Sequence, residues 1–79
     1  MLLAEVADLD SLDSTCFFYT SERPNGAPDT SNNSRWHGIN ISGIGSSFLY
    51  RNQLACAIGD TRWYARGMAN GVWSGWVEL

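Results

Sequence analysis

The sequence predicts a mainly β protein, a small antiparallel sheet or sandwich built from hairpins. No stretch sustains a 3.6-residue apolar period, and two-residue alternation runs through the second half. Asn70-Gly71 stands between two apolar runs as a hairpin turn, because both central positions of a type I′ turn need positive φ. With 79 residues the chain holds one core at most.

Taken in order, residues 1–15 carry Asp8, Asp10 and Asp13 among Ser11 and Ser14, which predicts an extended or irregular lead-in. Cys16-Phe17-Phe18-Tyr19-Thr20 is aromatic and β-branched enough for a strand. Residues 21–35 hold both prolines and a dense set of Ser, Asn, Asp and Gly, so they read as a long loop of the kind that is often functional. Trp36–Ser42 alternates as a strand, 47–51 reads as a brief strand and Asn52–Ile58 as another. Gly59-Asp60 turns the chain into Arg62–Ala69, which pairs through Asn70-Gly71 with Val72–Leu79. The organisation is a lead-in over 1–15 and a β-rich domain over 16–79.

Two-residue turns place Cys56 opposite Trp63, Leu54 opposite Ala65, Met68 opposite Trp73 and Ala65 opposite Trp76. One sheet face then gathers Leu54, Cys56, Ile58, Trp63, Ala65, Val72 and Trp76, the expected core. The reverse face gathers Gln53, Ala55, Ala57, Arg62, Tyr64, Arg66, Met68, Trp73, Val77 and Leu79. It is too apolar for open water and too polar for a core, and therefore meets another molecule or another part of the chain.

Composition points the same way. Charged residues are 16%, against about 25% in ordinary globular chains, while four Trp, three Tyr and three Phe crowd the sequence. All five basic residues are Arg, a residue enriched where surfaces touch partners. A core of this size supplies only about 3–5 kcal/mol, which favours association as a source of stability. The net charge of −3 argues against nucleic-acid binding. Met1-Leu2-Leu3-Ala4 has no basic flank and soon meets Glu5, as neither a signal peptide nor a membrane span would.

No Cys/His spacing suggests a metal, no cofactor motif is present, and Cys16 and Cys56 read as buried thiols in preference to a bridge. His37 could be imagined with Ser34 or Cys16 as half of a nucleophilic pair. No motif positions an acid, so no enzyme is expected. Aromatic rings suit the apolar faces of sugars, and Arg forks suit phosphate or carboxylate groups. Such residues cluster twice: Arg62, Tyr64, Arg66 and Trp73 on the reverse face, and Arg35 with Trp36 after the loop.

Asp8-Leu9-Asp10-Ser11-Leu12, Phe17-Phe18-Tyr19, Asn25-Gly26-Ala27-Pro28, Gln53-Leu54-Ala55, Tyr64-Ala65-Arg66, Asn70-Gly71 and Trp73-Ser74-Gly75-Trp76 succeed one another in a distinctive order. In motif order, residues 8–79 resemble the knob-like C-terminal domains of bacteriophage tail fibres and R-type pyocin fibres, with their DLNxLTxxGxYY opening, QIA, YxR and closing NGxWSxW. Cys16 departs from the usual Gly, and Ala65 from a larger β-branched residue. The resemblance implies a homotrimeric adhesion module at the fibre tip of a virion, made in the host cytoplasm. It would recognise bacterial surface polysaccharide or lipopolysaccharide without enzymatic activity, cofactor or membrane insertion, and residues 1–15 would be the end of a shaft or a linker. The alternatives are a trimerisation or folding clamp that touches no receptor, and a monomeric SH3-like peptide binder.

Overall fold

A computed structural model describes residues 3–28, 35–42 and 49–79. They form one seven-stranded sheet, and there is no helix among the described residues. The strands are β1 (Leu3–Glu5), β2 (Cys16–Tyr19), β3 (Trp36–Ser42), β4 (Arg51–Ala57), β5 (Trp63–Ala69), β6 (Val72–Trp73) and β7 (Val77–Glu78). Their order is β1-β2-β3-β4-β5-β6, with β7 also pairing β5. Only β1–β2 is parallel; every other pair is antiparallel. The expected β class holds, as one sheet.

Periodicity located β2, β3, β4 and β5 to within a residue or so. The brief strand expected over 47–51 is not seen: 47 and 48 lie outside the described residues, Leu49 is in a turn and Arg51 opens β4. Residues 29–34 of the expected loop are likewise outside them. The hairpin registers agree with the turn chemistry. Cys56 pairs with Trp63 and Leu54 with Ala65 as the turn after β4 requires. Asn70 and Gly71 have φ of 51° and 79°, the left-handed pair a type I′ turn demands, and Met68 pairs with Trp73.

Beyond Trp73 the expected register fails. Ala65 pairs with Val77, not Trp76, so β7 runs one residue out of step with β6. Ser74 causes the step: its N–H donates to Gly67 O at 2.7 Å, while its hydroxyl accepts from Gly67 N at 3.0 Å. One side chain replaces a backbone partner, the chain bulges, and every later side chain changes face. Trp76 thereby leaves the face expected to be the core, and Val77 and Leu79 move onto it, 62% and 72% exposed.

The larger correction concerns which face is buried. The core is built on Phe18, Trp36, Ala55 and Ala57 with Leu9, and Val6, Leu12, Ala27, Tyr64 and Trp76 pack against it. That is the reverse face of the sequence reading. Of the expected core residues, Cys56 is buried, Leu54 and Ala65 are half-buried, and Ile58, Trp63 and Val72 are exposed. The cause lies in the segment expected to be a lead-in. Because β1 and β2 are parallel, the chain between them must cross over the sheet, and it carries Val6, Leu9 and Leu12 onto this face. Residues 3–15 are thus integral to the domain. Each large side chain buried here, Leu9, Phe18 or Trp36, contributes about 1.5–3 kcal/mol or more.

The cysteines are free and buried, as expected. They lie on opposite faces: Cys16 pairs across with Asn40 on the covered face, Cys56 with His37 and Trp63 on the other. Loss of hydration pushes both thiols above the ordinary cysteine value, helped at Cys56 by the Asp60 charge.

At Gly38 on β3, a Cβ would run into the Leu54 carbonyl oxygen and the Phe18 ring, while at Gly75 nothing lies within 4 Å. Gly38→Ala is expected to destabilise by about 3 kcal/mol and Gly75→Ala by less than about 0.5 kcal/mol, measured as midpoints of urea unfolding.

Candidate functional site

A row of polar side chains crosses the covered face. Asn40, Gln53 and Arg66 are successive cross-strand partners on β3, β4 and β5, so the sheet sets them side by side. All three are buried. Arg66 Nε donates to Gln53 Oε1 at 2.9 Å, and Gln53 Nε2 donates to Asn40 Oδ1 at 3.1 Å and to Leu9 O at 2.7 Å. Asn40 Nδ2 donates to Ser14 O at 2.8 Å. The row therefore hydrogen-bonds the backbone of the crossing segment at two places, which lets so polar a face be buried.

Arg66 closes the row. Its Nη2 lies 2.9 Å from Asp10 Oδ1, and its guanidinium carbon lies 3.9 Å from the centre of the Trp73 ring and 4.6 Å from that of Trp76. A planar cation between two indoles is a favourable cation–π arrangement. Burial lowers its pKa below the ordinary arginine value, opposed by the hydrogen bond and charge of Asp10; an arginine stays charged regardless. Trp76 reaches this position because of the bulge at Ser74, and its Nε1 donates to Gly26 O at 2.8 Å.

Asp8 fastens the other side. Its carboxylate accepts from Asp10 N at 2.9 Å, Ser11 Oγ at 3.0 Å and Asn25 Nδ2 at 3.0 Å. The backbones of 7–9 and Asn25 also bond each other, Leu9 N to Asn25 O and Asn25 N to Ala7 O, both at 2.9 Å. The Asn25 amide is the main reason that the Asp8 pKa lies below the ordinary carboxylate range. Gly26 comes next at φ 82°, its α-carbon against the Asp10 carboxylate, where a side chain would meet both strain and a clash. Between these pieces opens a groove of about 450 Å³ lined by Asp10, Ala27, Tyr64, Arg66, Gly75 and Trp76, among others.

A second concavity, of about 500 Å³, lies on the opposite face and is almost wholly apolar. Leu3, Phe17, Tyr19, Ile39, Leu54 and Trp63 line it, with His37 stacked on Trp63 at 5.8 Å and 9° between rings. Comparison of the chain with protein-family models, curated proteins and solved structures finds no match.

The structure brings together some of the residues that the sequence singled out and separates others. Tyr64, Arg66 and Trp73 share the covered face, but Arg66 is buried and engaged within the protein. Arg62 stands apart, its guanidinium 2.7 Å from Asp60, whose pKa its hydrogen bonds lower. Arg35 is exposed while its neighbour Trp36 is fully buried, edge-on to Tyr64 at 5.9 Å, so those two form no joint surface. His37 and Cys16 lie on opposite faces and cannot form a pair; Ser34 lies outside the described residues. Among the described residues no three His, Cys, Asp or Glu side chains converge as a metal site, and no helix is long and apolar enough to cross a membrane.

Sequence reasoning missed Asp10 and Trp76 as walls of the groove. The Asp10 signal was present in its motif beside Leu9. The Trp76 position depended on the Ser74 bulge, which no pattern announced.

Gln53→Ala strands Arg66 Nε, Leu9 O and Asn40 Oδ1 in the interior and is expected to cost about 2–3 kcal/mol. Asp10→Asn, at a side chain 44% exposed, should cost less than about 1 kcal/mol; chemical unfolding gives the ranking. Asp8 has a folded pKa below its unfolded value, so its contribution is full above about pH 4 and is lost as pH falls through the folded value. In acid titrations of stability below about pH 4, Asn25→Ala should flatten the wild-type decline.

Proposed function

We propose that the chain is a receptor-binding module that recognises bacterial surface glycan, the role that its resemblance to tail-fibre knob domains implies. The observation supporting this is the groove at Tyr64 and Trp76. Two aromatic rings, a half-exposed carboxylate at Asp10 and the rim of the Arg66 guanidinium border a space sized for one or two sugar rings. Apolar ring faces beside hydrogen-bonding groups at the edges are what a saccharide needs, because its C–H faces stack while its hydroxyls bond. In this reading the protein works as a homotrimer at the tip of a virion's tail fibre. Three copies of a weak groove become useful through avidity on a repetitive polysaccharide or lipopolysaccharide.

A second reading is favoured by a different observation. The open sheet face with Trp63 and Phe17 is apolar and carries little charge, as the contact surface of a trimerisation or folding clamp would be. A clamp needs no glycan groove.

An array of bacterial polysaccharides and lipopolysaccharides, probed with the isolated chain, separates the two. The glycan reading expects binding that Tyr64→Ala weakens at least about tenfold, the loss of one aromatic stack, with a single cooperative urea-unfolding transition retained. Binding unaffected by Tyr64→Ala excludes this groove, and no binding anywhere on the array leaves the clamp.

A further inference from the structure

We infer that the groove selects an uncharged sugar ring, held by two neighbouring hydroxyls between Asp10 and Arg66, and that it turns away acidic and phosphorylated sugars. This rests on the glycan reading and names the class of saccharide within it.

The polar groups of the groove are few, and each has a definite hydrogen-bonding capacity. The Arg66 side chain is 6% exposed, with Nε bonded to Gln53 Oε1 and Nη2 set 2.9 Å from Asp10 Oδ1. Its Nη1 donates to no group among the described residues, although the residue lines the groove. The Asp10 side chain is 44% exposed and takes one further, long contact from Asn25 Nδ2 at 3.5 Å, so carboxylate lone pairs are left for a ligand. Trp76 offers only its ring, because its Nε1 is already bonded to Gly26 O.

A guanidinium only donates and a carboxylate only accepts. A hydroxyl does both. Two adjacent hydroxyls of a pyranose therefore suit the pair, one donating to Asp10 and its neighbour accepting from Arg66, with the ion pair left intact. The C–H face of the same ring lies against Tyr64 or Trp76.

A free arginine fork would favour the carboxylates and phosphates of acidic glycans. Here the fork is not free. The Asp10 carboxylate stands beside it, and a second carboxylate, Asp8, lies close behind, sharing the Asn25 amide with Asp10 at 3.0 and 3.5 Å. An anion drawn to Arg66 would meet like charge and compete with an ion pair already made, which is how a site rejects one class of ligand while holding another. Arg66 is held in place by Gln53 and by the two indoles against which it packs.

The test compares saccharides that differ only in charge. Oligosaccharides cut from bacterial polysaccharides are applied to the chain in a monovalent format, before and after selective oxidation of their C6 alcohols to carboxylates. The wild-type chain is expected to bind a neutral member at least about tenfold more tightly than its oxidised form. That neutral binding should fall less than about twofold between about 0.1 and 1 M sodium chloride, since it recruits no net charge. Asp10→Asn should lower the neutral-to-acidic ratio at least about tenfold, because it leaves the Arg66 charge unbalanced while keeping the shape of the side chain. A ratio cancels any general weakening, and a single cooperative urea-unfolding transition verifies that the variant is folded. A wild-type chain that prefers uronic acids or phosphorylated sugars overturns the inference and leaves the glycan reading standing, as does a ratio that Asp10→Asn does not move. Absence of binding to any saccharide overturns both.

Discussion

The fold depends on one buried cation. Arg66 occupies the interior of a domain with little interior to spare, and different parts of the chain surround it: Gln53 of the neighbouring strand accepts from its Nε, the Asp10 carboxylate of the crossing segment lies 2.9 Å from its Nη2, and two indoles of the closing hairpin lie against it. A buried charge left without partners is strongly destabilising, whereas one satisfied on several sides can specify a unique arrangement. Here the satisfied arrangement requires the N-terminal segment to lie across the sheet at one height and in one direction. The apolar contacts of Leu9 and Leu12 hold that segment down, and the polar row determines where.

Much of the sheet was legible in the sequence because its information is local. Two-residue alternation marks β3 and β4, and Asn70-Gly71 determines a turn whose φ values few other pairs adopt comfortably. The choice of buried face was not legible, for a physical reason. Asn40, Gln53 and Arg66 count as polar one at a time, and only their cross-strand adjacency turns them into a network that satisfies itself. Leu54, Ile58 and Trp63 look like a core by composition, yet no segment among the described residues lies over them. The Trp76 error is of another kind: a serine hydroxyl substituting for a backbone group shifts the register by one residue, and pattern reasoning has no access to that substitution. Of the candidate site, Tyr64, Arg66 and Trp73 could be grouped from hairpin register alone. Their separation from Arg62 and Arg35 required the actual packing.

The sheet divides its two faces between two tasks. One is closed by the chain itself, through residues 6–14 and 24–28, and the grooved surface of that closure is where aromatic and charged groups converge. The other is left apolar and uncovered among the described residues. Because the faces are back to back, whatever occupies one leaves the other accessible. The thin barrier between them is a single layer of backbone, with Gly38 admitting the Phe18 ring where any larger residue would hold it off.

The contacts that close the covered face span long stretches of chain: Gln53 to Leu9 is 44 residues, and Trp76 to Gly26 is 50. On a ribosome, the crossing segment emerges before the partners that hold it and waits for side chains made 44 residues later in one case and 50 in the other. Until the final tryptophan is free of the exit tunnel, Leu9 and Leu12 have no complete surface to settle on. Nascent chains of such a protein, when crowded on one message, are at risk of capturing a neighbour's hairpin in place of their own.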